Sequence, residues 1–291
     1  MSNASAFDVT GISERVAAID FGASNTDVAA VIEGKLRVWS QRSQGTPTVA
    51  TVQSILAAGD LALSDVELLA VTGGHHRALP EELAGVKVIN VGELPAIGRG
   101  GQALAMGTWH LPKQPMLVVS TGSGTAMVAA RGRNYQHVTG TGVGGGTLLG
   151  LGRLLLGTAN PMEIDQFALV GNPNGADLAL RDVVTGPIGA LPPDATAVNF
   201  GRVARMLAVP SRDDLAAALV TMVGQVIATL AINAARAAGV ERAVVTGHLT
   251  DMQSMRTTMD RVGTFFGLPL DLFEEAGYAT VIGAMLHAVE R

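Results

Sequence analysis

A glycine-rich segment in the middle of the chain runs without a break into an apolar helix pattern. The segment reads VTGTGVGGGTLLGLGRLLLG and spans Val138–Gly157. The backbone N–H groups of such a loop, at the N-terminus of a helix, suit a phosphate or a carboxylate. The segment therefore predicts an anion site built from free N–H groups.

Two further turns combine glycine with hydroxyl side chains, and each stands between two β-rich runs. The first, DFGASNT, places Asp20 at a strand end, ahead of Ser24 and Thr26. Asp20 suits a Mg²⁺ ion held through water, while the hydroxyls and the turn N–H groups suit phosphate. The second turn, Ser120–Thr125, repeats this arrangement. The alternative is that Asp and Gly serve only turn geometry, and for a third turn, Val244–Asp251, taken alone, that interpretation is the better one.

Glu93 follows a strand and begins a helix pattern, and two interpretations of it are open. It can act as a general base that accepts a hydroxyl proton as a phosphoryl group arrives. It can also be a carboxylate that only stabilises the N-terminus of the helix, an effect of less than about 1 kcal/mol for an exposed group. His137 precedes the glycine loop and is a candidate for the same reason. Neither it nor the pair His75–His76 has metal-ligand spacing, so we expect no zinc.

The composition narrows the possible functions. The 291 residues allow one large domain or two lobes, and there is no cysteine, which excludes disulfides and thiolate catalysis. The net charge of −5 and the lack of a basic stripe predict no nucleic-acid partner. We expect no membrane partner, because the sequence shows no apolar stretch of the roughly 18 residues that a span needs. No secretory signal is recognisable, so the expected location is the cytoplasm. None of the three lysines lies in a glycine-rich loop, so a Walker A motif is absent.

The chain contains the same order of elements twice. Each half opens with strand, Gly/Ser/Thr turn, strand, turn, strand, and then alternates helices and strands, which is typical of α/β lobes. The predicted division near Trp109–Gln114 gives an N-terminal lobe, 14–112, and a C-terminal lobe, 113–291. The stretch Thr185–Gly201 is expected to be a Pro/Gly-rich loop. Because ligands of duplicated α/β lobes bind where strand ends converge, we expect a nucleotide cleft between the lobes. The expected arrangement resembles the duplicated actin/hexokinase-like, ribonuclease H-like lobes.

Taken together, these motifs resemble the type II pantothenate kinases. The similarity runs from about Val16 to Leu286, with IDFGASNT, VTGG, GELPAIGRG, VSTGSGT, VTGTGVGGGTLLGL, VNFGRV, VGQVIATLAINAA, VVTGHL and EEAGYATVIGAML in family order. The resemblance implies ATP-dependent phosphorylation of the primary hydroxyl of pantothenate, the first step toward coenzyme A. It also implies a homodimer built partly on the helix near Val223–Ala238.

The resemblance further assigns roles to individual residues. Glu93 matches the family's catalytic base, and Asp20 would position Mg²⁺. ATP would be bound by Gly22, Ser24, Thr121, Gly122, Ser123, Gly124, Thr125, Gly144, Gly145, Gly146 and Gly247. The acceptor would be bound by His137, Thr139, Gly140 and Thr141.

Two positions depart from the family pattern. Asp27 stands where the family has a lysine near the triphosphate. His137 stands where the family has the arginine that binds the pantothenate carboxylate. A guanidinium binds a carboxylate through a permanent bidentate fork, whereas histidine near neutral pH offers fewer donors and at best a partial charge. Losing such a pair would weaken binding of the carboxylate by about 1.5–3 kcal/mol, unless Arg99, Arg131 or Arg133 compensates.

Three functions are therefore open. The first is a pantothenate kinase with a modified pocket, which Glu93, Asp20 and both turns favour. The second is a kinase of the same fold for another small hydroxyl compound, which His137 and Asp27 suggest. The third is a nucleotide-binding regulator without useful turnover, which the presence of Glu93 disfavours. Sugar kinases of the ROK type are disfavoured because their zinc motif needs cysteines.

Overall fold

The computed structural model describes residues 2–3, 9, 11–12, 15–186, 189, 191–205 and 208–291. Residue 14, the predicted start of the first lobe, lies outside these ranges, as do residues 187, 188 and 190 of the predicted Pro/Gly-rich loop. In the described part of that loop, Thr196–Val198 forms a short strand rather than irregular chain.

The first half of the chain forms a seven-stranded mixed sheet with two helices. Its strands are β1 (Ser2–Asn3), β2 (Val16–Phe21), β3 (Asn25–Ile32), β4 (Lys35–Arg42), β5 (Leu68–Gly73), β6 (Glu82–Leu83) and β7 (Val86–Asn90). The order across the sheet is β1-β4-β3-β2-β5-β7-β6. Helix α1 (Val49–Ala57) follows β4, and helix α2 (Glu93–Met106) follows β7. Strands β2 and β3 are almost entirely buried, which accounts for their continuous apolar sequence.

The second half repeats the topology in a five-stranded sheet of order β10-β9-β8-β13-β14. In each sheet a three-stranded antiparallel meander is extended by two parallel strands, so β4-β3-β2-β5-β7 corresponds to β10-β9-β8-β13-β14. The duplication predicted from the sequence is confirmed. The remaining elements are β8 (Met116–Thr121), β9 (Thr125–Arg131), β10 (Asn134–Thr141), α3 (Gly145–Leu156), α4 (Pro161–Val170), β11 (Leu178–Ala179), α5 (Leu180–Val183), β12 (Thr196–Val198), α6 (Arg212–Ala238), β13 (Ala243–Thr246), α7 (Gln253–Phe265), β14 (Leu270–Leu272) and α8 (Ala279–Val289).

Helices α2 and α8 join the two sheets. On α2, Ala96 packs into the core of the first sheet, while Ile97 packs against strands of the second. Helix α8, the last element of the chain, packs onto β2 and β5 of the first sheet. The two helices approach so closely that a Cβ on Gly283 would lie 2.0 Å from the carbonyl oxygen of Ala96. The N-terminus of α2, where Glu93 lies, is thus fixed by both halves of the molecule.

Helix α6 forms the centre of the second lobe's core. It begins at a Ser211 cap and ends at Gly239, which adopts the left-handed conformation that glycine favours there. Contrary to the sequence expectation, α6 is long and apolar enough to cross a membrane, but 67% of its most apolar window is buried inside the protein. Packing against the second sheet and against α3, α4 and α7 therefore accounts for its apolar composition.

Candidate active site between the lobes

A cavity of about 520 Å³ lies between the two sheets, where the ends of their central strands converge. It is lined by both Gly/Ser/Thr turns, the first residue of α2, the start of α3 and the segment after β13. Such a volume is typical of small-molecule sites. The three motifs that the sequence singled out as anion or metal sites, the glycine loop and the two turns, are therefore neighbours in space, with Glu93 beside them.

The two hairpin turns touch each other across this cavity. The Oγ atoms of Ser24 and Ser123 are 2.9 Å apart, although the residues are 99 positions apart in the chain. The two threonines of the second turn have structural roles. The hydroxyl of Thr121 donates to the Thr246 carbonyl at 2.6 Å, and that of Thr125 donates to the Val143 carbonyl at 2.8 Å. Their hydroxyl protons are therefore engaged, whereas the single bond between the two serines uses only one of their two hydroxyl protons.

Four consecutive N–H groups of the glycine loop, on residues 143–146, are engaged in the structure, whereas the sequence predicted them to be free. Strand β10 extends through Thr141, so the loop proper is short. The first N–H groups of α3, on Gly145 and Gly146, donate to the carbonyls of Gly122 and Ser123 at 2.8 and 2.9 Å. The preceding N–H groups, on Val143 and Gly144, contact hydroxyls of Thr141 and Thr147 at 3.2 and 3.4 Å.

The glycines instead allow the loop to pack backbone to backbone against the second turn. A Cβ on Gly144 would lie 2.7 Å from the carbonyl carbon of Gly124, and one on Gly146 would lie 2.9 Å from the Ser123 oxygen. Real Cβ atoms essentially never come as close as either of these distances, so both contacts require glycine. Gly145 and Gly146 line the cavity, while the conformation of the second turn depends on this packing.

Gly247, after β13, packs against the second turn from the other side. Its φ of +103° favours glycine, and a Cβ there would lie 2.3 Å from the Thr121 carbonyl oxygen. Gly22 has a similar function in the first turn, since a Cβ would lie 2.6 Å from the Asn25 carbonyl oxygen. Both glycines line the cavity.

Asp20 and Asp27 are neighbours on the first sheet. They are paired in the β2–β3 register, and Asp20 is also paired with Thr72 of β5. Burial of the Asp20 carboxyl group, followed by the nearby charges of Asp27 and Glu93, raises the pKa of Asp20 to about 7, while His248 opposes the rise. A carboxylate in this position gains from a cation more than an ordinary aspartate does.

His248 bridges the two lobes. Its Nε2 lies 3.2 Å from Asp27 on the first sheet, and its Nδ1 lies 2.9 Å from Asp251 of its own turn. Burial alone would lower the pKa of His248, but the hydrogen bonds to Asp251 and Asp27 and their charges raise it to about 10. The imidazole packs edge-on to Tyr278, and only glycine fits beneath it at Gly277, where a Cβ would lie 2.2 Å from Nδ1. The side chain is thus a fixed imidazolium at neutral pH.

The cavity offers oxygen ligands for a metal ion. Among the described residues no group of three His, Asp or Glu side chains is arranged to hold one. Mg²⁺ bound with a nucleotide needs fewer protein ligands, because one or two carboxylates are enough when phosphates and water complete its octahedron. Asp20 and Asp27 supply carboxylates, and the buried hydroxyl of Thr72 beside Asp20 has no hydrogen-bond partner. This donor set fits Mg²⁺.

Glu93 lies where the first cavity meets a second one. It is the first residue of α2 and is exposed, and it lines both cavities together with Gly73 and Gly74. The second cavity measures about 450 Å³ and is formed by the segment after β5 and the start of α2. A carboxylate at this junction can accept a proton from a group in the second cavity while a phosphate occupies the first.

The residues expected to bind the acceptor are only partly at the cavities. Thr141 lines the first cavity, but His137, Thr139 and Gly140 line neither cavity. His137 is exposed on β10, the edge strand of the second sheet, next to a bulge in its pairing with β9. As placed here, its imidazole does not reach the space beside Glu93.

None of the three arginines that could have replaced the missing guanidinium points into the cavities. Arg99 is fully buried and pairs with Glu290 at 2.7 Å, and Arg133 also contacts Glu290, with Nη2 at 3.5 Å. Arg131 donates to the carbonyl of Ala238. The compensation considered from the sequence is therefore not provided by these side chains in this conformation.

Sequence reasoning missed two features of the site, the neighbours of Asp27 and the basic side chains of the second cavity. The Asp27–His248 contact joins residues 221 positions apart, and no local pattern indicates it. A signal for the Asp20–Asp27 pair did exist, since a turn centred on Ala23 and Ser24 sets these residues opposite each other. The second feature, Arg77 and His75 in the second cavity, lay in a segment noted only for its lack of metal-ligand spacing.

Solved structures with the same fold are ATP-binding proteins and sugar kinases. The activator of 2-hydroxyisocaproyl-CoA dehydratase from Clostridium difficile, with bound ADPNP, has a TM-score of 0.61 at 15% identity, with 94% of each chain covered. A ROK family glucokinase from Streptomyces griseus, in complex with glucose and AMPPNP, has a TM-score of 0.56 at 16% identity over 95% of this chain and 99% of its own. The fold is thus the actin/hexokinase-like ATPase fold.

The sequence comparisons identify the family. The family model described as Fumble matches residues 107–287. The type II pantothenate kinase of Oceanobacillus iheyensis is 30% identical over 269 residues, which cover 92% of this chain and 97% of that protein. A type II pantothenate kinase of Bacillus cereus is 26% identical over 77% of this chain and 83% of its own. The chain belongs to the family of type II pantothenate kinases, and it is an ATP-dependent small-molecule kinase.

Proposed function

We propose that the protein transfers the γ-phosphoryl group of ATP to the primary hydroxyl of pantothenate, giving 4'-phosphopantothenate and ADP. This is the first step of coenzyme A biosynthesis, and we expect it to take place in the cytoplasm. The position of Glu93 carries the proposal: its carboxylate lines both cavities, in a chain whose relatives are named type II pantothenate kinases. The first cavity suits the nucleotide and the second suits the acceptor.

In this proposal the triphosphate lies between the two hairpin turns. The hydroxyls of Ser24 and Ser123 exchange their mutual contact for contacts with phosphate oxygens. Thr121, Thr125 and the glycines of both turns, with Gly144, Gly145, Gly146 and Gly247, hold the backbone that surrounds the phosphates. Asp20 would hold Mg²⁺, which would supply positive charge to neutralise the phosphates.

Glu93 acts as the general base. The acceptor hydroxyl oxygen forms a bond to the γ-phosphorus while the bond from that phosphorus to the β–γ bridging oxygen breaks and ADP leaves. The hydroxyl proton passes to the Glu93 carboxylate. Because phosphoryl transfer has a loose transition state, positioning and charge stabilisation contribute more than the base. His248, as an imidazolium, adds a fixed positive charge near Asp20 and Asp27.

The lobes proposed from the sequence, 14–112 and 113–291, separate the strands of the two sheets. Helix α8 belongs to the second range but packs on the first sheet, so it would couple the two lobes. We propose a homodimer as well. Half of Val223–Ala238 is buried within its own chain, so a dimer contact there would use the exposed side of α6, where Val226, Asn233 and Ala237 lie. We propose no nucleic-acid or membrane partner.

A second candidate function is phosphorylation of another small hydroxyl compound by the same machinery. Its support is the exposed position of His137 away from both cavities, together with the engagement of Arg99, Arg131 and Arg133 elsewhere. The residue pattern that would hold the pantothenate carboxylate in the family is therefore changed, whereas the phosphoryl-transfer residues are present.

The test of the proposed function is ADP release by the purified protein with Mg-ATP, with and without pantothenate, at low and high pantothenate concentration. We expect pantothenate-dependent ADP release and formation of a phosphorylated product in equal amounts. If nucleotide binds but ADP release does not depend on pantothenate at any concentration, pantothenate is not the acceptor and the second candidate is favoured.

A further inference from the structure

The second cavity contains basic side chains whose role the family pattern does not explain. Its wall is formed by Gly73, Gly74, His75, His76, Arg77, Ala78, Gly92 and Glu93. Within the part of the chain that the structure describes, the guanidinium of Arg77 makes no hydrogen bond or ion pair, and the exposed imidazole of His75 makes none either. An unpaired arginine beside a cavity that also contains a candidate base is available for a ligand.

The loop that carries Arg77 is held in place by the intervening histidine. His76 is buried, and its Nδ1 donates to the carbonyl of Gly73 at 2.5 Å. A short helical turn, residues His76–Ala78, follows directly. Gly73 itself has a φ of +92°, and a Cβ there would lie 2.6 Å from an Asp20 carboxylate oxygen. The position of the loop is thus linked to the strand end that presents Asp20.

The charges of the two cavities differ. The first contains the carboxylates of Asp20, Asp27 and Glu93 against the one imidazolium of His248, and it receives the phosphates, so it disfavours an anionic acceptor. The second has Glu93 at one side, with Arg77 and His75 from the loop after β5. An acceptor whose hydroxyl reaches Glu93 and whose other end is anionic would lie with that end toward Arg77. A neutral acceptor would leave the guanidinium without a partner.

We propose that the cavity formed by residues 73–78, Gly92 and Glu93 binds the acceptor, and that Arg77, assisted by His75, binds a carboxylate on it. This inference rests on the proposed phosphoryl transfer and specifies the acceptor as a hydroxy carboxylate. Arg77 takes the role that the family pattern gives to the residue at position 137. Guanidinium and carboxylate match in a bidentate pair, which gives both affinity and orientation of the hydroxyl.

The test compares a carboxylate acceptor with an uncharged analogue in the full-length enzyme. Pantothenate and pantothenol, its alcohol analogue, are assayed with the wild type, Arg77→Gln, Arg77→Lys and the control Arg261→Gln. Arg261 is exposed on α7 and lines neither cavity. We expect Arg77→Gln to raise KM for pantothenate about ten- to hundredfold, with kcat and the KM values for pantothenol and ATP unchanged. Arg77→Lys should recover part of the loss, and Arg261→Gln should have no effect.

Two results would overturn the inference while the kinase function stands. One is that Arg77→Gln raises KM equally for both acceptors, or raises KM for ATP. Either outcome would assign Arg77 to the phosphates or to folding. The other is no effect on either acceptor. If the wild type phosphorylates neither compound, the proposed pantothenate reaction fails, and glycerate and gluconate are compared with glycerol and glucose. The inference would then be supported if the enzyme phosphorylates the carboxylates and Arg77→Gln lowers that turnover. It would be contradicted if the enzyme phosphorylates the neutral compounds or none of the four.

Discussion

The Oγ atoms of Ser24 and Ser123 lie 2.9 Å apart and connect the two lobes at the wall of the first cavity. If phosphate replaces this contact, each serine contributes a hydrogen bond to a charged group, worth about 1.5–3 kcal/mol, and binding costs the one bond between the serines. A single Ser→Ala change then loses one phosphate bond but also removes that cost.

A double-mutant cycle on these serines tests this exchange. We expect Ser24→Ala and Ser123→Ala each to weaken the binding of Mg-ADPNP by up to about a hundredfold. The double variant should lose more affinity than the product of the two single fold losses. The excess corresponds to the serine–serine bond, roughly 0.5–1.5 kcal/mol. Isothermal titration calorimetry measures all four affinities, with the exposed Ser54→Ala on α1 as control. If the fold loss of the double variant equals the product of the two single losses, the contact between the serines persists when nucleotide binds.

Glu93→Gln should abolish most turnover and leave nucleotide binding intact. Removing a positioned general base typically lowers the rate by about 10²–10⁴. The affinity for Mg-nucleotide should not fall, because the negative charge of Glu93 is one of the causes that raise the pKa of Asp20, and its removal favours ionised Asp20. Single-turnover kinetics and calorimetry measure the two quantities.

The matched control is Glu81→Gln, which changes an exposed glutamate of the same lobe that lines neither cavity. It should retain wild-type turnover. Full activity of Glu93→Gln would remove the base assignment, and loss of nucleotide binding would indicate a structural role for Glu93 at the start of α2.

The sequence predicted the architecture because its signals are local. Each Gly/Ser/Thr turn lies between apolar runs, and the turn residues set both the hairpins and their register. Glu93 at the start of α2 was predicted correctly as a helix N-terminal residue for the same reason. The left-handed cap at Gly239 and the Ser211 cap likewise define α6 from neighbouring residues alone.

The features that the sequence did not reveal depend on distant contacts. The glycine loop looked like an anion cradle, but Gly145 and Gly146 donate to another loop, and only the tertiary structure shows which acceptor their N–H groups have. The packing of α8 onto the first sheet and the contact of His248 with Asp27 both join the ends of the chain. Periodicity and spacing contain no information on such contacts.

The stability of the metal-free protein should fall with rising pH in two separate windows. The folded pKa of Asp20, about 7, is above its ordinary value of 3.8, so the folded state holds this proton more tightly and stability is lost as pH rises between them. The folded pKa of His248, about 10, is above 6.5, so its contribution is complete below about pH 6.5 and is lost as pH rises through 10.

Urea unfolding of the wild type, Asp20→Asn and His248→Gln across this pH range separates the two contributions. Relative to the wild type, Asp20→Asn should flatten the decline between about pH 4 and 7, and His248→Gln the decline between about pH 6.5 and 10. Each slope is at most about 1.4 kcal/mol per pH unit, the value for one proton. A His248→Gln profile parallel to that of the wild type above pH 6.5 would show that the imidazolium is not held by Asp27 and Asp251.

Gly144→Ala should damage the site through packing, whereas Gly142→Ala, two residues earlier in the same loop, should be tolerated. A Cβ at Gly144 meets three backbone atoms of Gly124 within 2.8 Å, while a Cβ at Gly142 has nothing within 4 Å. Because a backbone cannot move aside as a flexible side chain can, Gly144→Ala should cost about 1–3 kcal/mol, as overpacking generally does. Thermal unfolding and Mg-ADPNP affinity should both fall for Gly144→Ala and stay within error for Gly142→Ala. If the anion-cradle interpretation were right instead, both variants would keep the wild-type melting temperature and any loss would be confined to nucleotide affinity.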